Sequence, residues 1–108
     1  PEYIVISSDH LRSAISNLLD NALRHGAGQP VRLRVLSDGG RLRIEVSDRG
    51  PGISPANQAR LFQRFFTTVR DDGGTGLGLA IVRAVAERQG GRVDYTTGPG
   101  GTTFVVTL

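Results

Sequence analysis

Apolar residues recur along this chain with two different periods. Leu11, Ile15, Leu18, Leu19 and Ala22 return every three or four positions, the spacing of one helical face. Ser7, Ser8 and Asp9 ahead of them supply N-cap candidates, and Gly26 and Gly28 followed by Pro30 end the predicted helix near His25. Before it, Tyr3 to Ile6 reads as a short β-like run. After it, Val31, Leu33 and Val35 alternate with Arg32 and Arg34, and Asp38-Gly39-Gly40 turns the chain into Leu42, Ile44 and Val46. This second pattern predicts a β-hairpin with one wet, arginine-rich face.

Asp48-Arg49-Gly50-Pro51-Gly52 breaks the strand, and Ser54-Pro55 is an N-cap and first-turn pair for a short helix reaching about Phe62. A stretch rich in Thr, Asp and Gly runs from Thr67 to Thr75 and reads as flexible. Leu77 to Gln89 is then a second long helix, closed by Gly90-Gly91. Strands from Arg92 to Thr96 and from Thr102 to Leu108 finish the chain across Gly98-Pro99-Gly100-Gly101. The order β, α, β, β, α, loop, α, β, β is buried most simply as an α/β (α+β) two-layer sandwich, with helices on one face of a mixed, mostly antiparallel sheet.

At 108 residues the chain accommodates one core and therefore one expected domain, residues 1–108. No apolar run approaches the ~20 residues needed to span a bilayer, and the N-terminus lacks the pattern of a signal peptide. With no cysteine, disulfides and thiolate metal sites are excluded. All 13 basic residues are arginine, which narrows the chemistry: a Walker A loop needs its lysine on the phosphates, so a nucleotide here would be held by another device. The arginines form no dense cluster interleaved with aromatics, so a mixed solvated surface is preferred over nucleic-acid binding.

Four segments carry candidate chemistry. Asn17 and Asn21, four residues apart, lie roughly 40° from each other around the helix and roughly 130° from the centre of the apolar stripe. Arg24 and His25 follow one turn later on the same side. Amide oxygens suit a magnesium ion that already carries phosphate oxygens and waters, and an arginine suits phosphate; taken alone, two asparagines on a helix are usually just solvated amides. Asp48 sits where a strand ends, so its carboxylate can accept a hydrogen bond from an adenine amino group, with Gly50 and Gly52 letting backbone approach the base. An ordinary Asp/Gly turn is the alternative there. Gly74, Gly76 and Gly78 lead into a helix start, where unpaired N–H groups and the helix dipole favour an anion. The spacing is not the Gly-x-Gly-x-x-Gly of a dinucleotide fold, and no strand precedes it. Phe62, Phe65 and Phe66 read both as core and as an anchor for the mobile stretch.

Together these segments resemble the boxes of the ATP-binding domain of bacterial sensor histidine kinases, the Bergerat-type fold. Asn17-Leu18-Leu19-Asp20-Asn21-Ala22 looks like the N box, Asp48-x-Gly50-x-Gly52 the G1 box, and Phe62 to Phe65 the F box. Gly74-Thr75-Gly76-Leu77-Gly78-Leu79-Ala80 looks like the G2 box, and Gly101-Thr102-Thr103-Phe104 like the closing segment. The match runs in order from about Asp9 to Leu108.

The resemblance implies ATP and Mg²⁺ as ligands, with Asn21 on the metal assisted by Asn17, Arg24 on phosphate and His25 stacked against adenine. It implies that Asp48 selects adenine, supported by Thr102 through a water, with Gly50, Gly52 and Ile53 completing the base pocket. Gly74, Thr75, Gly76, Leu77 and Gly78 would close over the phosphates, from an ATP lid at about residues 66–76. Arg64 stands where many members carry proline, and Arg64 or Arg70 would supply a cation to the γ-phosphate. The phosphoaccepting histidine of the family lies on a separate helical dimerisation domain. His10-Leu11-Arg12 lacks the acidic residue of that motif, so the acceptor is expected outside this chain. The implied partners are that helical domain of the same parent protein and a downstream response regulator, in the cytoplasm, with neither nucleic acid nor direct membrane contact. The same fold also serves ATPases such as DNA gyrase, and anti-sigma-factor serine kinases. The ATPases carry a water-activating glutamate where Asn17 stands, and an amide cannot act as that base.

Overall fold

The computed structural model describes residues 5–63 and 78–108. Within them the chain forms α1 (Ser8–His25), β1 (Arg32–Asp38), β2 (Arg41–Ser47), α2 (Pro55–Gln58), α3 (Gly78–Arg88), β3 (Arg92–Gly98) and β4 (Gly101–Thr107). The four strands form one sheet in the order β1-β2-β4-β3, and all three pairings are antiparallel. Half of the run expected as a first strand lies outside the described residues, and its other half, Val5 and Ile6, belongs to no strand.

Both hairpins follow from local chemistry. β1 and β2 are joined by Gly39 and Gly40 at φ +58° and +81°, the doubly left-handed turn that matches the twist of the strands it connects. β3 and β4 are joined by Pro99 and Gly100. The sheet register Ile44↔Val106, Val46↔Phe104 and Tyr95↔Phe104 puts these side chains on one face.

α1 and α3 pack against each other and cover that face. Leu18, Ile44, Val46, Val82 and Val106 are the largest fully buried side chains. On α1 the buried line is Ala14, Leu18 and Ala22, with Leu11, Ile15 and Leu19 packed at its margin. The helical stripe is thus as expected, with the fully buried Ala14 added to it.

Two expectations need correction. The short helix after Ser54 was expected to reach about Phe62, yet α2 ends at Gln58. Ser54 Oγ caps it by accepting from Asn57 N–H at 3.3 Å, but the chain then tightens into i→i−3 bonds from Arg60, Leu61 and Gln63. The hairpin was expected to be wet only on its arginine face. Leu33 and Val35 share a face with Val46 and Ile44, but β1 is the sheet edge and they remain 42% and 56% exposed.

Candidate functional site

α1 presents a polar face one residue out of step with its buried line. Ser13, Asn17, Asn21 and Arg24 follow at helical spacing, each one or two positions from Ala14, Leu18 and Ala22. Asn17 Nδ2 donates to Ser13 O at 2.7 Å and lies 3.3 Å from Ser13 Oγ. That commitment turns Asn17 Oδ1 the other way, towards the first residue of α3: a Cβ built on Gly78 would lie 3.1 Å from it. Asn21 is half-buried one turn later. Arg24 Nε is held by Asp20 Oδ2 at 2.9 Å.

The far end of α1 meets the loop after β2. A Cβ on Gly50 would fall 1.8 Å from His25 O, so only glycine lets this loop lie against the helix terminus. Asp48, buried to 7% exposure, follows β2 directly. Its Oδ1 accepts from Gly50 N–H at 2.9 Å and Thr102 N–H at 3.2 Å, and its own N–H donates to Thr102 O at 2.9 Å. Two backbone donors thereby fix the carboxylate plane and leave Oδ2 as its less encumbered oxygen. Thr102, expected to support Asp48 through a water, also meets it directly, through its backbone. Its hydroxyl is 2.8 Å from Thr97 Oγ1, which in turn accepts from Ile53 N–H at 2.9 Å. Thr97 therefore ties β3 to the loop that carries Gly52 and Ile53. Gly52, at φ +85°, packs so closely that a Cβ would lie 2.3 Å from Gly98 O.

His25 is half-buried beside Asp48. Burial holds its pKa below the ordinary 6.5, a shift opposed by the Asp48 carboxylate and reinforced by Arg24. The ring is therefore biased towards its neutral form. Phe62 makes tilted contact with Tyr95 at 6.3 Å and edge contact with Phe104 at 6.5 Å, and Arg83 lies 5.6 Å over its ring. Phe62 thus packs against the core; Phe65, Phe66 and the stretch it was expected to anchor lie outside the described residues.

The structure brings together Asn17 with Gly78, and His25 with Asp48, Gly50 and Thr102; Gly52 and Ile53 join through Thr97. Arg64, Arg70, Gly74, Thr75, Gly76 and Leu77, with the expected lid, lie outside the described residues. Sequence reasoning missed Ser13 and Thr97. Ser13 was legible in principle, four residues before Asn17 on the same helical face, whereas nothing local marks Thr97. His10 lies in the first turn of α1, 15 residues and so about 22 Å along the axis from His25, well away from the Asp48 loop.

Residues 6–108 match the family described as histidine kinase-, DNA gyrase B- and HSP90-like ATPase. The chain belongs to this ATPase family. Among the relatives of this family domain, the probable sensor histidine kinase TcrY of Mycobacterium tuberculosis is 40% identical over 115 residues, covering 100% of this chain and 24% of TcrY. The sensor-like histidine kinase SenX3 of Mycolicibacterium smegmatis is 41% identical over 104 residues, covering 91% of this chain and 27% of SenX3. The chain thus spans about a quarter of the length of these curated relatives. Of solved structures, the mycobacterial sensor histidine kinase MprB superposes with a TM-score of 0.77 at 37% identity, over 97% of this chain and 73% of that one. Full-length ShkA, solved in complex with AMPPNP, superposes with a TM-score of 0.78 at 37% identity, over 92% of this chain and 21% of that one. The ATPase-domain fold, α/β with helices on one sheet face, is shared with these kinases.

Proposed function

We propose that this domain binds Mg·ATP and donates the γ-phosphoryl group to a histidine on a separate helical domain of a two-component sensor kinase. The observation that carries the reading is the fixed carboxylate of Asp48. An acceptor locked by two backbone N–H groups beside a neutral imidazole is suited to an adenine amino group and its ring. From His25 to Asn17 is eight residues of helix, about 12 Å, so a nucleotide lying along α1 with its base at Asp48 carries its phosphates towards Asn17 and the start of α3.

Asn17 and Asn21 fit a magnesium ion. With Nδ2 of Asn17 donated to Ser13, the hard oxygen is the atom that remains to face a cation, and magnesium takes few protein ligands beside phosphate and water. The ion would neutralise charge on the phosphates. The domain's own residues select the base, orient the chain of phosphates and supply N–H groups at a helix start; the acceptor nitrogen must arrive in line as the bond from the γ-phosphorus to its bridging oxygen breaks and ADP leaves. We assign residues 1–108 to one such domain, with the lid at about 66–76, and place it in the cytoplasm with the helical domain and a response regulator as partners.

Calorimetry with Mg·ATP and Mg·GTP tests binding: ATP is expected to be taken up with clear preference. Transfer is tested by mixing this chain, labelled ATP and the helical domain of a relative; an acid-labile, base-stable phosphoprotein is expected. An acid-stable product would point to a serine acceptor, and multiple-turnover hydrolysis by the chain alone to an ATPase.

A further inference from the structure

The face of the sheet turned away from the helices is organised in rows by the strand register. One row reads Arg32, Ser47, Thr103, Thr96, a cation and three hydroxyls on four adjacent strands. The next reads Arg34, Glu45, Val105, Asp94, and the third Leu36, Arg43, Thr107, Arg92. In the second and third rows, each arginine has a carboxylate partner: Arg34 and Arg43 lie 3.8 and 3.3 Å from Glu45, and Arg92 is 2.8 Å from Asp94. The first row contains no carboxylate.

That row floors a hollow of about 590 Å³, within the ~300–1,000 Å³ typical of ligand sites. Arg32 and Arg49 both line it, and among the described residues neither has a hydrogen-bond or ion-pair partner. Ser47 Oγ and Thr103 Oγ1 are 2.8 Å apart, so one of the two hydroxyl protons is used between them. Asp48 is the one carboxylate among the lining residues. It is buried, and its Oδ1 is already committed to Gly50 and Thr102. The hollow is therefore rich in donors and short of counter-charge.

We infer that this end of the open sheet face is a docking surface for an acidic polypeptide segment in extended form. The shape argues for a peptide over a small anion. The donors do not converge on a point; they lie across four strands, three spacings of about 4.8 Å, or about 14 Å, which is the length of about four extended residues. The two unpaired arginines would take carboxylates and the hydroxyl row would meet backbone or side-chain acceptors. Of the residues lining the hollow, Asp48 alone is also assigned to the nucleotide, and neither the two arginines nor the hydroxyl row is, so this inference stands apart from the nucleotide reading.

The test is fluorescence anisotropy of a labelled Gly-Glu-Asp-Glu-Asp-Gly peptide at low salt, with a lysine-for-acid peptide as control. Arg32→Ser with Arg49→Ser is expected to weaken binding tenfold or more. Arg34→Ser with Arg92→Ser removes the same formal charge from matched positions and is expected to weaken it less than threefold. On the unaltered protein, amide resonances of Ser47, Thr96 and Thr103 are expected to shift on peptide addition, which holds whether or not the variants fold. Equal losses in the two double variants, equal binding of the lysine peptide, shifts confined to other residues, or preferential binding of a single-stranded oligonucleotide or of inorganic phosphate would each overturn the proposal.

Discussion

Replacing Asp48 by asparagine changes one oxygen into an NH2 group and leaves the shape of the side chain intact. Oδ1 accepts from the Gly50 and Thr102 N–H groups, so the amide can settle in only one orientation: reversed, it would point its own hydrogens at two backbone donors. The carbonyl oxygen therefore stays where Oδ1 is and the NH2 group replaces Oδ2, the position proposed to accept from the adenine amino group. Both backbone bonds survive, and the loop should remain in place. Against ATP the substitution sets donor against donor and removes a charge-assisted hydrogen bond, about 1.5–3 kcal/mol. At about 1.4 kcal/mol per decade, that is a Kd roughly 10- to 150-fold weaker.

Inosine triphosphate, with an oxygen in place of the amino group, should show the opposite preference and bind the variant better than it binds the unaltered protein. Asp48→Ala instead orphans two buried N–H groups, at about 1–3 kcal/mol each, and should lower the melting temperature as well as affinity. Calorimetry with both nucleotides and thermal melts of both variants measure all of this. If Asp48→Asn binds ATP like the parent, or loses ATP and inosine triphosphate affinity equally, the carboxylate does not read the base.

Leu18→Ala removes a side chain 1% exposed beneath α1 and is expected to cost about 3–5 kcal/mol in urea unfolding, large for a domain of this size. Gly101→Ala places a Cβ 2.1 Å from Asp48 O at a backbone φ of +139°; a loss of roughly 2–4 kcal/mol is expected, and a stability change under about 0.5 kcal/mol would refute the close approach. Because burial lowers the His25 pKa in the folded state, the unfolded chain takes up the proton first as pH falls. Stability should accordingly decline below pH 6.5, towards the lowered pKa, and be unaffected by this group well above it. Urea midpoints from pH 8 to 5 should show that slope reduced in His25→Gln; an unchanged slope would assign it to other groups. Asn21→Ala is expected to remove most of the gain in ATP affinity that magnesium confers while sparing magnesium-free binding, read by titration with and without chelator.

The identity of the four strands, the two long helices and the two-residue turns was legible because each is written locally. Periodicity of 2 or near 3.6 marks the face that must be buried, and Gly39 and Gly40 take the positive φ of a tight turn without steric cost. The candidate residues were legible for a related reason: Asn17, Asn21, Asp48 and the glycines sit at helix-face, strand-end and helix-start positions whose chemistry can be stated before anything is folded. Other features depended on which residues distant in the chain meet, 44 positions apart for Ile53 and Thr97 and 54 for Asp48 and Thr102. Which oxygen of Asp48 is spent on Thr102, which way the Asn17 amide faces, how Thr97 reaches Ile53, and why Leu33 stays wet beside a buried Val46 all follow from sheet register and from where α1 and α3 lie over it. A sequence pattern states which face is apolar, but only the packed structure decides whether another element is there to cover it and which donors arrive beside a given acceptor.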